Sequence, residues 1–206
     1  MVRHPYSTNS EERKRVPFFL AVLSVLTSFA LVEMFSAIHW EPSPYVDVSS
    51  TMFIYGVYYW LFKAFFWKWK WLRALGILST PILEGRWLGQ VQTAPNPAAL
   101  AGQNLVARDV EVIIGQDWTD ILIRLRSGDS HSRSTSASMT VSEDETILIY
   151  EYISEPNPDA LPALQIHFGT ARVTVADQQM EGDYYTGRGR LNVGTLKLRR
   201  QAKEGR

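Results

Sequence analysis

Two apolar spans, close together in the first third of the chain, constrain its fold more than any other feature. The first covers residues 16–38 and contains one charge, Glu33; the second covers residues 48–67 and contains Lys63 near its end. A helix needs roughly 20 apolar residues to cross a bilayer core about 30 Å thick. Both spans therefore predict transmembrane helices, with the Lys63 side chain reaching toward the interface.

The charges around these spans predict an orientation. Basic residues lie before the first span, within residues 11–15, and after the second, at Lys68, Lys70 and Arg73, whereas residues 39–47 contain no lysine or arginine. The positive-inside rule then places both ends of a membrane hairpin in the cytoplasm. A cleaved signal peptide is the alternative for the first span, but the span is longer than an ordinary signal-peptide core and a second span follows it.

Glu33 admits two interpretations. An acidic side chain inside the hydrocarbon region would mark a functional contact between helices or subunits. Its place near the end of the first span is equally consistent with the outer interface.

The predicted organisation has seven parts along the 206 residues. They are a cytoplasmic basic segment (1–15), the first transmembrane helix (16–38), a periplasmic loop (39–47), the second helix (48–67), a juxtamembrane linker (68–81), a cytoplasmic domain (82–200) and a tail (201–206). The formal net charge of +0 argues against a DNA or RNA polymer as partner, and the absence of cysteine excludes disulfides and thiol chemistry.

After residue 82 the hydrophobic pattern changes to a period of two, with turn residues between the runs. About eight strands are predicted, at residues 85–93, 106–116, 120–126, 133–141, 146–154, 164–175, 180–188 and 191–199. Consecutive short strands of this kind favour an eight-stranded antiparallel up-and-down barrel, whose interior holds side chains or one small ligand. Ser132, Ser134, Ser136 and Ser138 alternate with apolar residues, which predicts a solvent-facing polar row.

A C-terminal run, residues 185–188, combines aromatic, hydroxyl and guanidinium groups. Thr186 and Arg188 are two residues apart and share one face of a predicted strand. An arginine there can bind a phosphate or stack on a base. It can equally close the barrel end through backbone carbonyls, and the residues alone favour that structural role.

Three segments following the two spans resemble a known family. Residues 84–89 (EGRWLG), 167–171 (HFGTA) and 182–188 (GDYYTGR) are similar to the two-transmembrane, β-strand-rich effectors of bacterial cyclic-oligonucleotide-based antiphage signalling systems (CBASS). The resemblance implies that the barrel binds a cyclic dinucleotide from a partner nucleotidyltransferase (CD-NTase). It also implies that binding drives self-assembly of the hairpins and disruption of the bacterial inner membrane.

Such a ligand presents two bases and two phosphates, which require aromatic or guanidinium stacking partners and cationic or hydroxyl donors. The candidate ligand-binding residues are Arg86, Trp87, Tyr150, Tyr152, His167, Thr170, Tyr185, Thr186 and Arg188. Each has a structural alternative: Trp87 as the barrel floor, Tyr150 and Tyr152 as an exterior girdle, and His167 as a structural histidine.

Two other functions compete with this one. A membrane-anchored barrel could carry an apolar or lipid ligand if its lumen were apolar and uncharged, or the barrel could serve only protein contacts. An enzyme is least favoured, because the four histidines are scattered and no metal-ligand spacing, nucleophile elbow or phosphate loop is present. We therefore expect no catalytic residues, no metal and no cofactor.

Overall fold

The computed structural model describes residues 3–37, 44–94, 106–143, 145–157, 166–187 and 192–202, with the side chains of the second helix described from residue 50. The chain divides into two compact units. One comprises residues 10–79 and is helical; the other combines residues 1–9 with residues 80–206 and is a β-sheet structure. The helical unit is thus an insertion into the chain of the β unit.

The helical unit contains α1 (Glu12–Ser36), α2 (Pro44–Ala64), a 3-10 turn (Phe66–Lys68) and the short α3 (Lys70–Ala74). Each of the long helices starts four residues earlier than predicted, so residues 44–47, which were predicted to lie in the loop, are helical. Among the described residues, α1 is the helix that is both long and apolar enough to cross a membrane. The predicted linker at 68–81 is partly helical, because α3 lies within it.

The two long helices pack against each other. The hydroxyl groups of Thr27 and Tyr58 lie 3.0 Å apart across this contact. Ser24 and Ser28 are buried, whereas Ala30 and Glu33 are exposed in this chain. Large apolar side chains such as Phe18, Phe29 and Met52 are exposed, as expected for helix surfaces that face lipid.

Both ends of the helical unit meet at a buried carboxylate. Glu12 is 3% exposed, and its Oε2 accepts hydrogen bonds from the backbone N–H of Ser79 (2.6 Å) and the Ser79 hydroxyl (3.3 Å). The hydroxyls of Ser10 and Ser79 also lie 2.7 Å apart. The chain therefore enters and leaves the helical unit at one place.

The β unit has nine strands within the described residues, namely β1 (His4–Thr8), β2 (Gly85–Ala94), β3 (Val106–Gln116), β4 (Asp120–Arg126), β5 (Ser130–Val141), β6 (Thr146–Pro156), β7 (His167–Ala176), β8 (Gln179–Thr186) and β9 (Val193–Arg200). Their pairing closes a barrel in the order β1-β4-β3-β2-β9-β8-β7-β6-β5. The eight strands predicted from the alternation are all present. Their neighbours in sequence pair antiparallel from β2 to β9, and β9 returns to β2.

The ninth strand, β1, corrects two predictions. Residues 4–8 lie in the barrel rather than in a separate N-terminal segment, and the barrel is not purely antiparallel. β4 and β5 pair directly only at Arg124–Arg126 with His131–Arg133. Beyond that point β1 fills the gap between them, antiparallel to β4 and parallel to β5.

A bulge in β5 corrects the prediction for the serine row. The register of β5 against β6 shifts between Ser134 and Ser136, so that Thr135 is an extra residue. Because one inserted residue reverses the side-chain alternation, Ser132 and Ser134 point into the barrel while Ser136 points outward and bonds Glu151. The prediction of a solvent-facing row is therefore wrong for Ser132 and Ser134.

One half of the barrel is filled by a dense core. Trp87, Ile121 and Leu83 are almost fully buried there. Buried Gln116 joins this end of the barrel: its side-chain oxygen accepts the N–H of Leu83 (2.7 Å), and its side-chain nitrogen donates to the Pro81 carbonyl (3.1 Å) and, at 3.4 Å, to the Tyr6 hydroxyl. We call this half, where β1 ends and β2 begins, the closed end.

Candidate ligand-binding site

The other half of the barrel, the open end, contains a cavity of about 300 Å³. This volume is at the lower limit of pockets that bind small molecules. Its wall combines apolar side chains from several strands with hydroxyl, amide and charged groups. The polar and aromatic lining residues are Thr93, Arg108, Ser127, Asp129, Ser130, Ser132, Tyr150, Tyr152, Ser154, His167, Tyr184, Thr186 and Asn192.

An aromatic group lies on the β6–β7 side of the cavity. The ring centroids of Tyr150 and Tyr152 are 6.2 Å apart, and the Tyr152 ring meets His167 edge to face at 6.5 Å. These residues point inward, so the exterior-girdle alternative for the two tyrosines is wrong. Burial raises the pKa of the Tyr150 phenol above its ordinary value, because the charged phenolate would lose its contact with water.

Two glycines provide room for the inward tyrosines. Gly169 lies directly opposite Tyr152, and Gly194 lies directly opposite Tyr184. A Cβ atom at Gly169 would collide with the Tyr152 ring, and one at Gly194 would collide with the Tyr184 ring. In each pair, the tyrosine ring occupies space that a side chain on the facing strand would fill.

Hydroxyl groups complete the wall near the rim. The Thr186 hydroxyl accepts the backbone N–H of Asn192 (2.9 Å), and the Thr186 N–H donates to the Asn192 carbonyl (2.9 Å), which ties β8 to the start of β9. The hydroxyls of Thr93 and Tyr184 lie 2.5 Å apart. Thr186, a predicted site residue, therefore lies in the cavity wall and also holds the strand end in place.

An ion pair lies in the cavity wall. Arg108 on β3 lies 2.8 Å from the Asp129 carboxylate, which comes from the turn between β4 and β5. Guanidinium and hydroxyl donors on one wall and aromatic rings on another are groups that bind phosphates and bases. In the described part of the chain, no group of three His, Asp or Glu residues is placed to hold a metal ion.

The predicted site residues divide into two sets. Tyr150, Tyr152, His167 and Thr186 meet in the cavity. The others that the structure describes are not among its lining residues: Arg86 pairs with Glu111 at 2.5 Å on the outer face, Trp87 is buried at the closed end, and Thr170 and Tyr185 lie on the outer face of β7 and β8. Arg188 lies outside the described residues.

Trp87 lies at the floor of the barrel, which was the structural alternative to a ligand-binding role. Its ring is fully buried, its Nε1 donates to the Leu83 carbonyl at 3.0 Å, and the Arg200 guanidinium lies 5.5 Å from the ring centroid. This arrangement closes the barrel floor.

Sequence reasoning missed several lining residues, above all Arg108, Asp129 and Tyr184. Arg108 shares the alternation of Val110, Val112 and Ile114, so extending that inward face by one step would have found it. Asp129 carries no comparable signal, because it lies in a turn where alternation does not apply.

Fold and site together define a class of protein: a β-barrel with a small-molecule cavity whose chain is interrupted by an apolar helical unit. Residues 78–200 match the family model described as Cap15, cyclic dinucleotide receptor domain, and residues 14–68 match the one described as Cap15, TM helices. The chain therefore belongs to the Cap15 family of CBASS effectors, as its resemblance to such effectors predicted, and it has an N-terminal transmembrane region.

Two curated relatives agree with this assignment. CD-NTase-associated protein 15 of Yersinia aleksiciae is 30% identical over 192 residues, which cover 90% of this chain and 87% of that protein. The protein of the same name from Staphylococcus schleiferi is 26% identical over 139 residues, which cover 68% of this chain and 70% of that protein. Neither the family descriptions nor these names specify an enzymatic activity.

Proposed function

We propose that this protein is a bacterial inner-membrane receptor that binds a cyclic dinucleotide, made by a partner CD-NTase, in the cavity at the open end of its barrel. The observation that carries the proposal is the cavity wall, where inward tyrosines face hydroxyl groups and Arg108. Aromatic rings suit the two bases, and guanidinium and hydroxyl donors suit the phosphates. The family match to a cyclic dinucleotide receptor domain supports the same ligand class.

The wall argues against an apolar or lipid ligand. A lipid carrier would need an apolar lumen, because a hydrocarbon chain would remove charged groups from water at a cost that their own pairing offsets only in part. Here Arg108, Asp129 and a row of serines line the cavity. The apolar residues beside them, such as Val91 and Leu125, are common in nucleotide pockets as well.

The decisive experiment is calorimetric titration of the full-length protein in detergent with a panel of cyclic dinucleotides. We expect at least one to bind, and we expect Tyr152→Ala to weaken it by about tenfold or more, since stacking on one base contributes about 1–3 kcal/mol. Tyr185→Ala is the matched control, because Tyr185 is 52% exposed on the outer face. Absence of binding to the whole panel by the unmodified protein would reject the proposal.

The chain path supports a membrane hairpin whose two termini lie on the same side of the bilayer, and the charge pattern favours the cytoplasmic side. β1 precedes the helical unit and β2 follows it, yet both strands belong to one barrel. A chain that leaves and rejoins the same folded domain crosses the bilayer an even number of times. If α1 spans the membrane, α2, which packs on it, is then the helix that returns.

We further propose that ligand binding promotes self-assembly of these hairpins and that the assemblies disrupt the inner membrane. The exposed apolar side chains of α1 and α2 offer the surface for such assembly. Dye-filled vesicles that contain the purified protein test this step. A cyclic dinucleotide that binds the protein should cause release of the dye, and a cyclic dinucleotide of the panel that does not bind should cause none.

A further inference from the structure

The cavity rim contains an internal anion where a ligand phosphate is expected. Among the described lining residues, Arg108 and Asp129 are the permanently charged pair, and their side chains lie 2.8 Å apart. They come from different elements, so the pair spans the rim from β3 to the turn between β4 and β5. Arg108 is also the guanidinium that the described wall offers to a phosphate.

The turn that carries Asp129 is held firmly. The Ser127 N–H donates to the Ser130 carbonyl, the Asn157 N–H donates to the Asp129 carbonyl, and the Asn157 side chain donates to the Gly128 carbonyl, each at 2.9 Å. These bonds involve the backbone of the turn. The Asp129 carboxylate is therefore free to rotate away from Arg108 without unfolding the rim.

The ion pair is also weak enough to exchange. The Arg108 and Asp129 side chains are 50% and 53% exposed, and solvent-exposed pairs contribute little to stability because water and salt screen them. A phosphodiester offers the same two-oxygen geometry to a guanidinium as a carboxylate does. A ligand held by the rest of the wall can thus displace Asp129 at small cost.

We propose that Asp129 is a competing anion: it occupies the Arg108 guanidinium while the cavity is empty, and a ligand phosphate replaces it on binding. This inference rests on the proposed function, and it adds that Asp129 lowers the affinity for the ligand. Asp129 keeps Arg108 at the rim and raises the ligand concentration needed for occupancy, because the guanidinium must leave the carboxylate before it can bind a phosphate.

The test is calorimetric titration of the full-length protein in detergent with whichever cyclic dinucleotide the unmodified protein binds. Asp129→Asn should tighten binding by about three- to fivefold, the range set by an exposed ion pair. Arg108→Gln should weaken binding by about tenfold or more, and Arg108→Lys should retain part of the affinity. In the Arg108→Gln background, the added Asp129→Asn change should have less than about a twofold effect, since no guanidinium remains to be released.

Asp109→Asn is the matched control, because it removes the same charge from the adjacent residue of β3, whose carboxylate bonds Gln90 on the outer face. Its affinity should equal that of the unmodified protein. Equal or weaker binding by Asp129→Asn, with thermal melting unchanged, would overturn the exchange while leaving the proposed function intact. Failure of the unmodified protein to bind any cyclic dinucleotide would instead reject the proposed function, and this inference with it.

Discussion

Single residues shape the two ends of the barrel in different ways. At the closed end, the side chain of Gln116, which is 1% exposed, bonds the backbone groups of Pro81 and Leu83. At the open end, glycines leave space that tyrosine rings occupy. The first arrangement uses a side chain to pair buried polar groups, and the second uses the absence of a side chain to shape the cavity.

Gln116→Leu should lower the free energy of unfolding by about 2–4 kcal/mol, because it leaves the buried Leu83 N–H without its acceptor and removes the bond to the partly buried Pro81 carbonyl. Gln90→Leu on the outer face should cost about 0.5 kcal/mol or less. Denaturant unfolding of the purified protein, followed by tryptophan fluorescence, measures both. Equal losses for the two variants would contradict the assigned role of Gln116.

Gly169→Ala should abolish ligand binding while the barrel still folds. The new methyl group would collide with the Tyr152 ring and with the Tyr185 carbonyl, so the ring must leave its place in the cavity. Gly128→Ala is the control, since no atom lies within 4 Å of a Cβ there. Calorimetry and melting curves on both variants separate the two effects, and unchanged binding by Gly169→Ala would contradict this account.

Among the elements, β1 contributes most beyond its length. It has five residues, yet it occupies the seam where β4 and β5 separate. Tyr6 is part of the core, and its hydroxyl donates to the Trp118 carbonyl at 3.0 Å. His4 lies 2.6 Å from the Ser134 hydroxyl, which also accepts the Ile123 N–H, so β1 contacts the strand that carries the bulge.

A chain of residues 80–206 alone should therefore fail to form a stable barrel, because the unpaired edges of β4 and β5 would remain open. Joining residues 1–9 to residue 80 through a short Gly/Ser linker should restore a cooperative melting transition. Both ends of the helical unit meet near Glu12 and Ser79, so a short linker suffices. Circular dichroism melting of the two chains checks this, and equal stability would mean that β1 is dispensable.

At the scale of the whole molecule, the insertion of the helical unit into the barrel constrains membrane topology. Residues 1–9 and 80–206 form one unit. Both must fold on the same side of the membrane, independently of the positive-inside rule. This constraint is consistent with the hairpin proposed above, whereas the choice of the cytoplasmic side rests on the charge pattern alone.

Single cysteines test this topology, since the chain has none of its own. A membrane-impermeant thiol reagent applied to spheroplasts should label Ser43→Cys, in the loop predicted to be periplasmic. Ser7→Cys on β1 and Glu181→Cys on β8, both exposed on the barrel, should react only after lysis. Labelling of Ser7→Cys and Glu181→Cys on opposite sides would contradict the fold itself.

By itself the sequence determined the positions of the helices and strands, because these follow from short-range hydrophobic periodicity. The apolar spans located α1 and α2, and the alternation located β2 to β9 and grouped Tyr150 with Tyr152 on one face of a strand. These features follow from side chains that partition between water, lipid and core within one element. The family resemblance added the ligand class and was confirmed by the family match.

Tertiary structure alone decided the rest. β1 pairs with strands more than a hundred residues away in the chain, the extra Thr135 turns Ser132 and Ser134 inward, and Arg108 meets Asp129 across the rim. None of these has a local signal, because each depends on which distant strands are neighbours and in what register. The cavity therefore forms only when the barrel closes, whereas the strands that enclose it are specified by the local pattern of the sequence.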